Sequence, residues 1–160
     1  GAQVGVATLA TAGLYEKLIS LSSGDTGCDA ISSAWERGEK LASRVRAIFG
    51  GRAEPILKEF EKKRGARAAY EDEMKKLASR WDAVRGGLSP LLTPSSQIRA
   101  ALDLAGAPVH YSGVGLDAEG FRDALMCALC IRSRFTVLDV ALAFGELEAW
   151  AEDEAGKIRS

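Results

Sequence analysis

Apolar residues in this chain recur at steps of three and four almost from end to end, and no period-2 run of β-branched residues appears anywhere. A 3.6-residue period lets a helix bury one stripe, whereas a half-buried strand needs strict alternation, so the pattern restricts the chain to an all-α fold. Val4, Ala7, Thr11, Leu14 and Leu18 mark a first helix ending at Ser22-Ser23-Gly24. Ile31, Trp35, Gly38, Leu41, Val45 and Ile48 mark a second, stopped by Gly50-Gly51. A third starts near Pro55, which suits a first helical turn, and carries Ile56, Leu57 and Phe60 up to Gly65. The clearest stripe is Tyr70, Met74, Leu77, Trp81 and Val84, closed by Gly86-Gly87 and Pro90.

Thr93-Pro94-Ser95 opens a helix with Ile98, Ala101, Leu102 and Ala105 turned inward and Gly106 as its C-terminal cap. Residues 107–116 read as irregular. Asp117 caps a helix carrying Phe121, Leu125 and Leu129, with Gly120 where a capping box wants Glu or Gln. Thr136 caps the last helix, which runs through Val137, Val140, Ala141 and Phe144 to Trp150, with Asp139 as a short acid at its third position. The expectation is a single all-α domain over 1–160, a multi-helix bundle of about six to eight helices.

A formal net charge of −1 supplies no unbalanced basic field, which argues against a nucleic-acid partner. No apolar run reaches the roughly 18 residues a membrane-spanning helix needs, so no membrane association is expected. Three cysteines without framework spacing fit a reducing cytoplasm.

Candidate chemistry is sparse. His110 is the single histidine, and no set of further ligand types stands near it in sequence, so it reads as a loop histidine rather than a metal ligand. Cys127 and Cys130 form a CxxC that elsewhere marks zinc or redox chemistry. Here it lies inside the apolar stretch ALMCALCIR with no second pair, and two buried thiols are expected. Gly113-Val114-Gly115 is not the glycine pattern of a nucleotide-phosphate loop and follows no strand, so a turn is the better reading. The charge run Lys58 to Arg67 reads as a solvated helix end. Arg132 and Arg134 flank Ser133 just before the Thr136 cap, where fork-shaped donors and free backbone N–H groups can hold a phosphate. An ion pair plus a helix cap explains the same residues without a ligand. Small residues at Gly1, Ala2, Gly5 and Ala7 let a ligand or a neighbouring element approach the first helix closely.

Three stretches point further. IRSRFTVLDVALAFG (Ile131 to Gly145) follows LDLAGAP (Leu102 to Pro108) and GLDAEGFRDAL (Gly115 to Leu125). Together they resemble the C-terminal helical domain of sn-glycerol-1-phosphate dehydrogenases of the AraM type, within the iron-containing alcohol dehydrogenase and dehydroquinate synthase superfamily. Gly1-Ala2-Gln3-Val4-Gly5 likewise resembles the continuation of that family's His-Gly-x-x-Val-Gly helix, whose His binds the catalytic metal.

The resemblance implies a dehydroquinate synthase-like helical domain, cut from a parent whose N-terminal nucleotide-binding domain and metal-binding Asp and His residues all lie upstream. It implies NAD(P) and a divalent metal (Zn, Ni or Fe) in that parent, and none held by this chain. A small phosphorylated polyol would be the substrate, and Gly1, Gln3 and Gly5 would lie near the metal site. Arg132, Arg134 and Thr136 match the family's Arg-x-Arg-aromatic-Thr-x-Leu pattern and are the candidate substrate-binding residues, a role the resemblance does not itself decide. The expected partners are the missing domain or a second subunit, and a homo-oligomer is compatible. The isolated chain is expected to be inactive. The alternative is a stand-alone helical interaction module, distinguished by whether Val4, Val6 and Leu9 stay exposed as an apolar patch.

Overall fold

The computed structural model describes residues 1–25 and 31–156, so Cys28 lies outside the described residues. The protein is an all-α multi-helix bundle. The α-helical segments among the described residues are α1 (Ala2–Ser20), α2 (Ala34–Phe49), α3 (Ala53–Arg64), α4 (Arg67–Ser79) and α5 (Trp81–Leu88). They continue with α6 (Ser95–Leu104), α7 (Ala118–Ala128), α8 (Val137–Phe144) and α9 (Leu147–Gly156). Short 3₁₀ turns at Gly50–Arg52, Ser89–Leu91, Tyr111–Val114 and Leu129–Ile131 join them.

Two stretches that read as single helices each break in two. The Tyr70–Val84 stripe bends at Arg80, beyond which Trp81 donates its indole N–H to Leu21 O at 3.0 Å and meets Phe144 edge-on at 5.1 Å. The Val137–Trp150 stretch breaks at Gly145, whose φ of 85° is open to glycine and strained for other residues. There Glu146 N–H reaches Ala141 O and Gly145 N–H reaches Leu142 O, the paired bonds of a Schellman ending. Arg37 of α2 completes it by donating to Leu142 O and Ala143 O. Gly86-Gly87, expected to stop a helix, lie inside α5, which runs on to Leu88.

Helix α8 sits at the centre. Seven of its eight residues are buried, as suits a helix apolar nearly all round. Helix α1 packs on one flank with α6 and α9, and α2 packs on the other with α3 and α4. The remaining departures from the sequence reading concern burial. In the first stripe Val4 and Ala7 are exposed and Thr11 half-buried, and α1 buries Val6, Leu9, Ala10 and Gly13 along with Leu14 and Leu18. Ile48 is exposed, and Leu129 is buried but belongs to the 3₁₀ turn after α7. Helix α6 has no buried residue: Ala101 and Ala105 face out, and Ile98 and Leu102 are half-buried. The helix contributes one edge to α1 instead of a buried stripe to the core.

Candidate functional site

The segment Ile131–Thr136, leading from the 3₁₀ turn into α8, carries the predicted Arg132, Arg134 and Thr136. Arg132 and Arg134 are exposed, and neither guanidinium has a hydrogen-bond or ion-pair partner among the described residues. The ion pair of the ligand-free explanation is therefore not formed there, while its cap is. Thr136 donates from its backbone N–H and its hydroxyl to Asp139 Oδ2 at 2.7 and 2.8 Å. Asp139 is thus long enough for the job that sequence reading expects of Glu.

The other oxygen of Asp139 meets Lys63 Nζ at 2.6 Å, with the two side chains only 5% and 6% exposed. Lys63 also donates to Leu129 O and, at 3.5 Å, to Arg134 O. One ammonium therefore ties the C-terminal turn of α3 to carbonyls on either side of Arg132 and to the α8 cap. The next residue, Arg64, is buried as well. It donates to Glu39 and to Trp35 O, and its guanidinium lies 3.7 Å from the centre of the Trp35 ring.

A Cβ on Gly38 would lie 2.7 Å from Arg64 Cζ, so glycine there makes the room that the guanidinium occupies. This corrects the reading of Lys58–Arg67 as a solvated helix end: its last turn enters the core. The signal was present, because Arg64 stands four residues beyond Phe60 and seven beyond Leu57, on the same helical face.

Gly1 and Gln3 lie at the exposed start of α1. Gly5 is half-buried, and a Cβ there would sit 3.1 Å from Leu102 Cδ2. The close approach expected at this small residue is made by α6. Of the three residues that would form a patch, Val6 and Leu9 are buried and Val4 is 68% exposed. Two apolar hollows flank the outward face of α1. One, of about 310 Å³, lies between α1, α7 and the first turn of α8 and is lined by Gln3, Ala7, Leu116, Phe121 and Leu138. The other, of about 480 Å³, runs past Val4, Thr8, Leu91 and Ile98. The α1 start and the α8 start, singled out separately in the sequence, therefore border one hollow.

His110 Nδ1 accepts the Ser112 N–H at 3.0 Å and caps the Tyr111–Val114 turn, and its ring packs on Tyr111. A Cβ on Gly113 would lie 2.6 Å from Pro108 Cβ, so the glycine loop closes on its own proline. Cys127 and Cys130 are free and buried, and burial pushes the Cys130 thiol up to about 12. Among the described residues no three His, Cys, Asp or Glu side chains gather where they could hold a metal. No helix among them is long and apolar enough to cross a membrane. Comparisons with protein-family models, with curated proteins and with solved structures give no match to this chain.

Proposed function

We propose that this chain is the helical, substrate-side domain of an NAD(P)-dependent polyol-phosphate dehydrogenase of the sn-glycerol-1-phosphate or glycerol type, inactive by itself. The reading starts from the resemblance of the Ile131–Gly145 stretch. The observation that carries it is the hollow shared by Gln3 on α1 and Leu138 on α8. Its lining is apolar, as suits contact with side chains of another domain, and the exposed Val4 stands at its neighbour's edge. In this reading a nucleotide-binding domain preceding Gly1, or a second subunit, covers the α1 face, and Gly1 and Gln3 come near the reacting carbon.

The described residues do not assemble a metal site. The Zn, Ni or Fe and the nicotinamide would be held by residues outside this chain. The contribution of this chain is the exposed pair Arg132 and Arg134. Their segment is pinned by Lys63, and their unpartnered guanidinia suit a substrate phosphate, which arginine binds with two parallel N–H donors. Two free, buried thiols accord with a reducing cytoplasm.

The test is the natural gene product, recovered from its own cells. A polypeptide of more than twice 17.0 kDa with His immediately before Gly1 is expected. That whole protein should reduce dihydroxyacetone phosphate with NAD(P)H and Zn²⁺ or Ni²⁺. A native mass near 17.0 kDa without such activity refutes the reading.

A second reading, a stand-alone helical interaction module, is favoured by one observation. Val6 and Leu9, the inner part of the α1 patch, are already covered by the chain's own helices.

A further inference from the structure

On the far side of α8 from the α1 face, a cavity of about 360 Å³ opens between α4 and the junction of α3 with α8. Its floor is Phe60, Tyr70 and Met74, all buried, and its mouth is framed by the exposed Ala69, Glu73 and Phe135. The volume lies in the range of small-molecule sites, and the lining has the usual character of one: aromatic and aliphatic, with few polar atoms.

The polar atoms decide what would fit. Both oxygens of Asp139 are occupied, by Thr136 and by Lys63, and Lys63 is shared among Asp139 and two carbonyls. Arg64 spends its terminal nitrogens on Glu39 and Trp35 O. Its remaining Nε has no partner, but it faces Gly38, where a Cβ would stand 3.0 Å away, on the α2 side. Glu73 at the mouth pairs with Lys76. Apart from Arg64 Nε, which is turned to Gly38, the charged groups lining the cavity are paired within the protein and favour an uncharged ligand.

Tyr70 differs. It is 9% exposed, yet its hydroxyl has no hydrogen-bond partner among the described residues. The oxygen itself is not sealed off, so it can meet an acceptor that enters the cavity Tyr70 lines. Burial raises its pKa, so the group stays a donor through the neutral range.

We propose that this cavity binds an uncharged one- or two-ring ligand, whose carbonyl or ether oxygen accepts from Tyr70 Oη while the ring packs among Phe60, Met74 and Phe135. This site is independent of the dehydrogenase reading and of the α1 face.

The two methionines of the chain make the test direct, because Met74 lines this cavity and Met126 lines a separate hollow beside α2. The full chain, labelled with ¹³C at its methionine methyls, is titrated with acetophenone, and with ethylbenzene as the probe lacking an acceptor. The expected result is a saturable shift of the Met74 signal with Met126 unmoved, and tighter binding of acetophenone than of ethylbenzene. Tyr70→Phe should weaken acetophenone at least fivefold and leave ethylbenzene unchanged. Ala69→Trp, at an exposed helical position on the mouth, should abolish the Met74 shift with both probes. A Met74 signal that stays still to the solubility limit, or shifts of both methyls in step, overturns the site. Equal affinity of Tyr70→Phe and the parent chain for acetophenone overturns the role of the hydroxyl and with it the ligand class.

Discussion

The two ends of the α8 neighbourhood treat chemistry in opposite ways. On the α3 side, charged groups are taken into the core and every charge is answered: Lys63 by Asp139 and two carbonyls, Arg64 by Glu39, Trp35 O and an aromatic face. On the α1 side, the outward face carries small and apolar residues, and much of it is uncovered by the described residues, with Val4 at 68% exposed. Burying charge is tolerable only where partners are fixed, so the first region is rigid by necessity. Leaving an apolar face open costs little per residue, so the second is free to be shaped by something outside the described residues.

Four substitutions can break or sharpen that contrast. Lys63→Met leaves Asp139 buried without its counter-charge, and the expected loss is about 3–5 kcal/mol of unfolding free energy in urea. A loss under about 1 kcal/mol would mean that the pair is wet and that the contrast fails on its closed side. Gly38→Ala gains roughly 1 kcal/mol of helix propensity but drives a methyl against the Arg64 guanidinium, 2.7 Å away. A net loss of about 1–2 kcal/mol is expected. If the variant is more stable than the parent, Arg64 is not held where the structure puts it.

Gly5→Ala makes the same change on the open side. There, among the described residues, the methyl meets the two methyls of Leu102, at 3.1 and 3.7 Å, on the loosely packed α6, which can yield. Its unfolding midpoint should move by less than about 1 kcal/mol, in either direction. A loss as large as that of Gly38→Ala would show α6 to be as fixed as the core. Val4→Asp should leave the unfolding midpoint within about 0.5 kcal/mol, since the side chain is already in water. If it destabilises the chain by more, the α1 face is packed against something within the chain itself.

Much of the local structure was legible in the residues. Asp117 and Thr136 start their helices as read, with Asp117 Oδ1 accepting from Gly120 N–H at 2.7 Å, and Gly106 ends α6 with a φ of 65°. The Gly50 and Gly65 stops also fall where the spacing puts them. Less of the candidate site was legible. Thr136 was found as a cap, but its dependence on Lys63 was hidden, because the two residues lie on different helices and a Lys inside a charge run reads as solvated. Tyr70 was placed on an apolar stripe correctly, yet nothing in its spacing tells that its hydroxyl lacks a partner.

The division has a physical reason. Caps, glycine endings and helical stripes rest on hydrogen bonds and side-chain contacts a few residues apart, so the sequence by itself determined that this chain is all-α and where most helices begin and end. Which stripe is buried depends on what lies across from it. Packing took Lys63 and Arg64 into the core, broke the Tyr70–Val84 stripe at Arg80, left α6 at the edge, and kept the outer face of α1 open. Those choices join residues tens of positions apart, and only the tertiary structure decided them.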